Sequence, residues 1–371
     1  MWNISEIKKK QKYVVERLKT SVPAEEKERL ELSLISFISL LNNNGGLSTK
    51  FYNLMDRITK DKFSLKKNSP YIAIEKKLVY DQIPNFNNNY LQFLLNLTTN
   101  LATEVGNEQI EFLPLNLSDE ELIKISGGFY SRLGDQEITQ SALKVLGDSS
   151  AINITTTTRD GYQEFGGITF NDFIFNKSYC TMTKNSNIFD IQVLNHEVMH
   201  GIDFYMHPKL PTANYYGFHE VPTYTIDYLL IDYLEQLGFD TSEVEKLRIQ
   251  KTGYLANLAN LTLTQIKGQI IRMKGLKSSV NPSLDDINEV LTPQIKKQLL
   301  EIQSGVIAFG LSQQIQFDKE SGINNLKKFM KSDIPKQQTP NFSFIGLSDE
   351  VLLQLSQQIP LNVISNENKT R

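Results

Sequence analysis

The chain has 371 residues, 40% of them hydrophobic and 22% charged, which is the composition of a folded protein. Its 39 Lys and Arg against 42 Asp and Glu leave a formal net charge of −3, which argues against a nucleic-acid-binding protein and against a basic membrane-surface protein. The single cysteine, Cys180, excludes an internal disulfide framework, and no apolar run approaches the roughly 20 residues that cross a bilayer.

The N-terminal part, 4–147, carries apolar residues at three- and four-residue spacing, which predicts helices. Ser118 and Glu121 have the spacing of a capping box, which marks the start of one of them. The first 19 residues lack the pattern of a secretory signal, so the default compartment is the cytoplasm. Export without a recognisable signal, or a sequence that lacks its signal, stays an alternative.

The segment 151–183 is rich in β-branched and aromatic residues between Gly and Asn breaks, which predicts three or four short strands. We interpret 179–183 as an edge strand that pairs with an extended peptide, or as a structural strand under the next helix. Gly166 and Gly167 permit either a bulge or a close backbone approach.

Helical spacing returns after Asn185. The predicted helices are 188–204, 221–237, 242–258, 262–273, 292–314 and 322–330. We therefore predict an α+β fold that is predominantly α-helical. Its expected parts are a helical N-terminal domain (1–150), a second domain of strands followed by helices (151–345), and a C-terminal helix and tail (346–371).

All four histidines of the chain lie within one stretch of 24 residues. Two of them form the pattern H-E-x-x-H, as His196-Glu197-Val198-Met199-His200. On a helix, His196 and His200 project from the same face about one turn apart, where both imidazoles can bind one zinc ion. Glu197 can then reach the metal-bound water without being a ligand. The pattern predicts one Zn²⁺ with Glu197 as the general base.

A catalytic zinc site has three protein ligands and one open position, so a third ligand is expected. Glu220 stands twenty residues beyond His200, at the head of the next amphipathic helix. His219 is a rival but is expected to point elsewhere on that helix, and Asp227 and Glu235 lie further along it. We predict Glu220 as the third ligand.

Two further residues of this stretch have open roles. Asp203, three residues beyond His200, is either a carboxylate that accepts the second ring N–H of a metal-bound histidine or a solvated acid on the helix surface. His207 is expected in the connecting loop, with a substrate contact as the alternative.

The run Glu220-Val221-Pro222-Thr223 resembles the E-x-P-S motif of the oligoendopeptidase F and thimet-type oligopeptidases, which are gluzincins. The segments 308–312 and 322–330 resemble two late helices of that family, and the resemblance covers about 179–351. It implies a zincin-like catalytic unit, with a small sheet beside the helix that carries H-E-x-x-H and with Glu220 on the metal. The chain departs from the family at 303–307, where the family's tyrosines are missing, and at Met199, where the family has Gly.

A second resemblance is to the anthrax lethal factor type of zinc protease. It rests on Asp203, as the last residue of H-E-x-x-H-x-x-D, and on a tyrosine shortly before the ligand helix. Tyr215 or Tyr216 would fill that position, and its hydroxyl would donate to the oxyanion that develops during hydrolysis.

The sequence therefore predicts a zinc metallopeptidase, an endopeptidase or oligopeptidase, that acts on a peptide or protein substrate. Two alternatives stay open. One is a catalytically weak or inactive zinc-binding protein that recognises peptides or a partner protein, which the missing tyrosines motivate. The other is a zinc hydrolase of a non-peptide amide. Oligomeric state does not follow from these patterns.

Overall fold

The computed structural model describes residues 4–42, 83, 85–102, 110–155, 166–207, 218–274, 282–332 and 340–367. It confirms an α+β fold that is predominantly helical, with one three-stranded sheet in the described part. The chain divides into two units: Met1–Val79 with Asn116–Leu210, and Tyr80–Leu115 with Pro211–Arg371. The predicted domain bounds stay a prediction.

The helices in chain order are α1 Ile4–Leu18, α2 Ala24–Asn42, α3 Asn88–Leu101, α4 Asp119–Arg132, α5 Gln136–Leu146, α6 Phe189–Met206, α7 Glu220–Gln236, α8 Thr241–Lys274, α9 Leu284–Val290, α10 Pro293–Phe317, α11 Lys319–Met330 and α12 Asp349–Glu367. The strands are β1 Ile152–Thr155, β2 Gly167–Asp172 and β3 Lys177–Thr183. A short 3₁₀ helix spans Ser343–Ile345. No helix among the described residues is long and apolar enough to cross a bilayer.

Local sequence signals account for several of these elements. The capping box of Ser118 and Glu121 is present at the start of α4, with both reciprocal hydrogen bonds. The two helices predicted over 242–258 and 262–273 form one continuous helix, α8. The residues between them include the buried Ala259 and contain neither Gly nor Pro, so nothing there ends the helix.

The sheet has the strand order β1-β3-β2. β3 pairs with β1 in parallel and with β2 in antiparallel orientation, so it is the central strand. Of the two interpretations of 179–183, the edge strand is therefore excluded, and the structural strand that packs against α6 is the one observed. Tyr179 and Cys180 point to opposite faces and both are buried, as expected of a strand covered on both sides. β1 and β2 are the strands at the two edges.

The outer edge of β2 follows from its register. Thr183 N donates to Gly166 O, so bonds to β3 continue at every second residue of β2, at 168, 170 and 172. The main-chain N–H and C=O groups of Gly167, Thr169 and Asn171 consequently point away from β3. At one of these positions the edge is occupied, because Ser36 Oγ on α2 donates to Asn171 O at 2.7 Å.

Helices cover both faces of this sheet in the first unit. On one face, α1 and α2 bury a small apolar core with the sheet, made of Ile7, Val14, Leu30, Phe37, Phe170 and Tyr179. On the other face lies α6. It approaches closely at Gly201, where a Cβ atom would stand 2.9 Å from Val145 Cγ2 and 3.1 Å from Ser178 Oγ. Any larger residue at 201 would push α6 away from the sheet.

Further contacts hold α6 at its first half. Tyr130 on α4 donates its hydroxyl to Asn195 O at 2.7 Å, and Asn195 Nδ2 donates to Ser126 Oγ at 3.1 Å. Asp190 accepts from the main-chain N–H groups of Asn185 and Ser186 at 2.7 and 2.8 Å, which fixes the turn before α6.

The second unit is helical in its described part. α7 packs against α8 and α10, and α10 packs against α11. A buried ion pair links α8 to α7, with Lys251 Nζ 2.7 Å from Asp227 Oδ2. At Gly322 the backbones of α11 and α10 nearly touch, since a Cβ atom there would stand 2.5 Å from Ile315 Cα.

Candidate metal centre

The two histidines of the motif lie on one face of α6, as predicted. Their ring centroids are 5.0 Å apart with an interplanar angle of 80°. Both side chains are only partly buried, so their ring nitrogens are accessible to an ion. Because α6 is held by the contacts at Asn195 and Gly201, the pair sits on a fixed support.

Glu197, between the two histidines, is buried with 5% of its surface exposed, and it faces β2. Thr169 Oγ1 lies 2.7 Å from Glu197 Oε2 and 2.8 Å from the main-chain oxygen of Glu197. The thiol of Cys180 also donates to that main-chain oxygen, at 3.3 Å. Burial raises the pKa of Cys180 to about 12, so the group is a neutral thiol that serves as a small buried donor.

Gly167 lies against the same carboxylate. A Cβ atom at this position would stand 2.4 Å from Glu197 Cγ and 2.9 Å from Cδ. Of the two roles left open for Gly166 and Gly167, a close approach is thus present at Gly167, and the group that approaches is the side chain of Glu197. Gly166 has φ +135°, which favours glycine there as well.

Glu220 is the first residue of α7, and two neighbours hold its carboxylate. Thr223 Oγ1 lies 3.0 Å from Oε2, and His219 Nε2 lies 3.0 Å from Oε1. Burial lowers the pKa of His219, but the negative charge and hydrogen bond of Glu220 outweigh that effect and the net pKa is raised. His219 has helical backbone angles, φ −64° and ψ −18°, and its side chain bonds Glu220, so the expectation that it is not the third ligand stays a prediction.

The ligand atoms of His196, His200 and Glu220 all lie within 4.8 Å of one another, which is a grouping that could hold a metal ion. Two imidazoles and one carboxylate are a donor set that zinc accepts in catalytic sites. The rivals to Glu220 have other partners. Asp227 is buried against Lys251, and Glu235 forms an ion pair with Arg248 at 3.0 Å.

The remaining predicted residues have mixed outcomes. Asp203 is 4% exposed, so it is not a solvated surface acid, and its role beside the histidines stays a prediction. His207 directly follows α6, where its main-chain N donates to Asp203 O at 2.8 Å. Tyr215 and Tyr216 lie outside the described residues, so their role stays a prediction.

Several residues around these groups were not assigned to them from the sequence. Thr169 and Gly167 contact Glu197, and Thr223 contacts Glu220. In the sequence, only spacing points to these residues. Residues 167 and 169 share one face of a strand, and residue 223 stands three residues after 220 on a helix. That spacing shows which residues share a face but not what the face meets.

A second unanticipated polar group lies in the second unit. The hydroxyls of Tyr224 and Tyr254 both bond Glu301 Oε1, that of Tyr224 at 3.2 Å. Lys251 Nζ lies 3.2 Å from the centroid of the Tyr224 ring. Burial, followed by the charges of Glu220 and Glu301, raises the pKa of Tyr224, which stays protonated.

No protein-family model and no curated protein sequence matches the chain. Solved structures similar to it include a candidate oligoendopeptidase F of Bacillus anthracis (13% identity, TM-score 0.48, 92% of this chain and 64% of that one) and a candidate peptidase of Chlamydophila abortus (13%, 0.49, 89% and 63%). PZ peptidase A with an inhibitor is also similar (12%, 0.45, 93% and 65%). The chain spans less than two thirds of the length of each. The anthrax lethal factor type gains no support among these structures.

Proposed function

We propose that the protein is a zinc-dependent peptidase, an endopeptidase or oligopeptidase, that hydrolyses peptide bonds. The observation that carries this proposal is the grouping of His196, His200 and Glu220 next to the buried carboxylate of Glu197. A chance H-E-x-x-H pattern does not require a third ligand nearby, whereas a zinc site does.

The three proposed ligands fit zinc in number and in type. The imidazoles would bind through ring nitrogens and Glu220 through a carboxylate oxygen, which leaves one position for substrate and water. When bound, zinc acts as a Lewis acid that lowers the pKa of water toward about 7 and polarises the scissile carbonyl.

The protein's own residues would supply orientation and proton transfer. Glu197 accepts a proton from the attacking water on a carboxylate oxygen and delivers it to the leaving amine nitrogen. The hydroxyl of Thr169 donates a hydrogen bond to Oε2 of that carboxylate and so orients it. Thr223 and His219 orient Glu220 in the same way.

The decisive experiment replaces Glu197 with Gln and compares zinc content with cleavage of a peptide mixture. We expect about one zinc per chain in both proteins, and loss of cleavage in Glu197→Gln because the amide cannot accept the proton. His200→Ala should lose both zinc and cleavage. The exposed Glu350 serves as the control site, where Glu350→Gln should change neither.

Undiminished cleavage by Glu197→Gln would refute the assignment. Stoichiometric zinc in the wild-type protein without cleavage of any peptide or unfolded protein would favour the inactive zinc-binding alternative. A digest that compares short peptides with unfolded proteins would separate an oligopeptidase from a general endopeptidase.

A further inference from the structure

The carboxylate of Glu197 is held by β2, and by two residues of that strand in different ways. Thr169 donates a hydrogen bond from its hydroxyl, and Gly167, which has no side chain, leaves room for the Glu197 side chain. The two residues are separated by one position, so they share the strand face that meets α6. Neither residue belongs to the H-E-x-x-H motif or to the proposed ligand set.

The Thr169 hydroxyl has one proton and two oxygen acceptors at similar distances, Glu197 Oε2 at 2.7 Å and Glu197 O at 2.8 Å. The main-chain oxygen has other donors, since it lies inside α6 and also accepts from the Cys180 thiol at 3.3 Å. The threonine proton is therefore available to the carboxylate. A hydrogen bond to a charged acceptor is about twice as strong as one between neutral groups, which favours the same choice.

Gly167 fixes where the carboxylate can lie. A methyl group at this position would overlap three atoms of one side chain, since Glu197 Cγ, Cδ and Oε1 would stand 2.4, 2.9 and 2.9 Å from it. Glu197 is also buried, with 5% of its surface exposed. Alanine at 167 would displace the carboxylate from its present position.

We propose that Thr169 and Gly167 are positioning residues, which together hold the carboxylate of Glu197 in its place beside His196 and His200. The catalytic part of this inference rests on the proposed peptidase function. A carboxylate that transfers protons must stay within hydrogen-bond reach of the attacking water, and a misplacement of about 1 Å can cost a reaction about 10²-fold in rate.

The first test concerns the hydroxyl. Thr169→Val keeps the shape of the side chain and removes the hydrogen bond, so kcat should fall about 10- to 100-fold, with KM and zinc content little changed. Thr169→Ser restores the hydroxyl and should recover most of the rate. The matched control is Thr181→Val. Thr181 lies on the opposite face of the sheet, and its Oγ1 donates to Asn153 O at 3.2 Å. The kcat of this control variant should stay at the wild-type value.

The second test does not depend on activity. Gly167→Ala should lower Tm by at least about 3 °C in the wild-type background, because the methyl group collides with Glu197. In the Glu197→Ala background the colliding atoms are gone, and the same substitution should leave Tm almost unchanged. The difference between the two backgrounds measures the contact itself.

The outcomes separate the two proposals. If the wild-type protein cleaves peptides, a Thr169→Val variant with unchanged kcat, or a Thr169→Ser variant as slow as Thr169→Val, would overturn the role of Thr169. Equal Tm shifts for Gly167→Ala in both backgrounds would overturn the role of Gly167. If the wild-type protein cleaves nothing, the peptidase function fails and the catalytic part of the inference fails with it, while the Tm comparison still decides whether the contact exists.

Discussion

The buried ion pair between Lys251 and Asp227 allows a test of how buried charges affect the stability of the second unit. The two charged atoms are 2.7 Å apart, and the side chains are only 6% and 2% exposed. Lys251 Nζ also lies over the Tyr224 ring. Burial lowers the pKa of Lys251, and the negative charge of Asp227 opposes that shift. Both charges are therefore away from water and depend on each other.

Lys251→Met removes the cation and leaves the carboxylate of Asp227 buried without that ion pair. Removing one partner of a buried pair costs about 3–5 kcal/mol, and we expect a loss of that size here. Adding Asp227→Asn removes the second charge, so the double variant should be about 2 kcal/mol more stable than Lys251→Met alone. The stabilising direction of a second mutation is the distinctive feature of this prediction.

Guanidinium unfolding, followed by circular dichroism at pH 7, measures these free energies. The control is the exposed pair of Lys19 and Glu16, where Lys19→Met should leave the unfolding midpoint unchanged. The reasoning would be refuted if Lys251→Met cost less than about 1 kcal/mol, or if Asp227→Asn further destabilised the Lys251→Met variant.

Two further predictions concern one residue in each unit. Burial raises the pKa of Asp172, against the lowering effects of Phe175 N–H, the Ser33 hydroxyl and Lys10, so the folded state keeps a proton that the unfolded state has lost. The free energy of unfolding should therefore fall as pH rises from the ordinary Asp pKa of 3.8 through the raised pKa. In Asp172→Asn this dependence of the free energy of unfolding on pH should be weaker, as measured by urea titrations across the same pH range. An unchanged pH dependence would contradict this. Gly322→Ala should lower the free energy of unfolding by about 3 kcal/mol, because the methyl group meets the Ile315 backbone. Gly268→Ala, with open space around it, should be neutral or stabilising. Equal effects of the two substitutions in thermal unfolding would refute this reasoning.

The helix that carries His196 and His200 was predictable because its signals are local. Four-residue spacing places two side chains on one helix face whatever surrounds the helix. The same holds for the start of α7, where Glu220 opens an amphipathic segment. The nearby position of the three ligand atoms could be expected only on chemical grounds, because zinc needs a third donor.

The features that sequence reasoning missed depend on contacts between distant segments. The sequence left open whether β3 is an edge strand, because alternation shows strands but not their neighbours, and its parallel partner β1 is separated from it by β2 along the chain. Thr169 could not be assigned to Glu197 for the same reason, since the contact requires the position of β2 on α6. The continuity of α8 was missed although the interval 259–261 contains no residue that ends a helix.

The hydrogen bond from Ser36 to Asn171 O has a consequence for how this protein behaves at high concentration. An exposed strand edge is a template on which a second copy of a chain can add its own strand, and repeated addition leads to aggregates. Of the three residues of β2 whose main-chain groups point outward, Asn171 already has its carbonyl satisfied by α2. Along the β2 edge, an added strand could pair with both main-chain groups only at Gly167 and Thr169. A serine on a neighbouring helix thereby shortens the part of the β2 edge on which a second copy could add a strand.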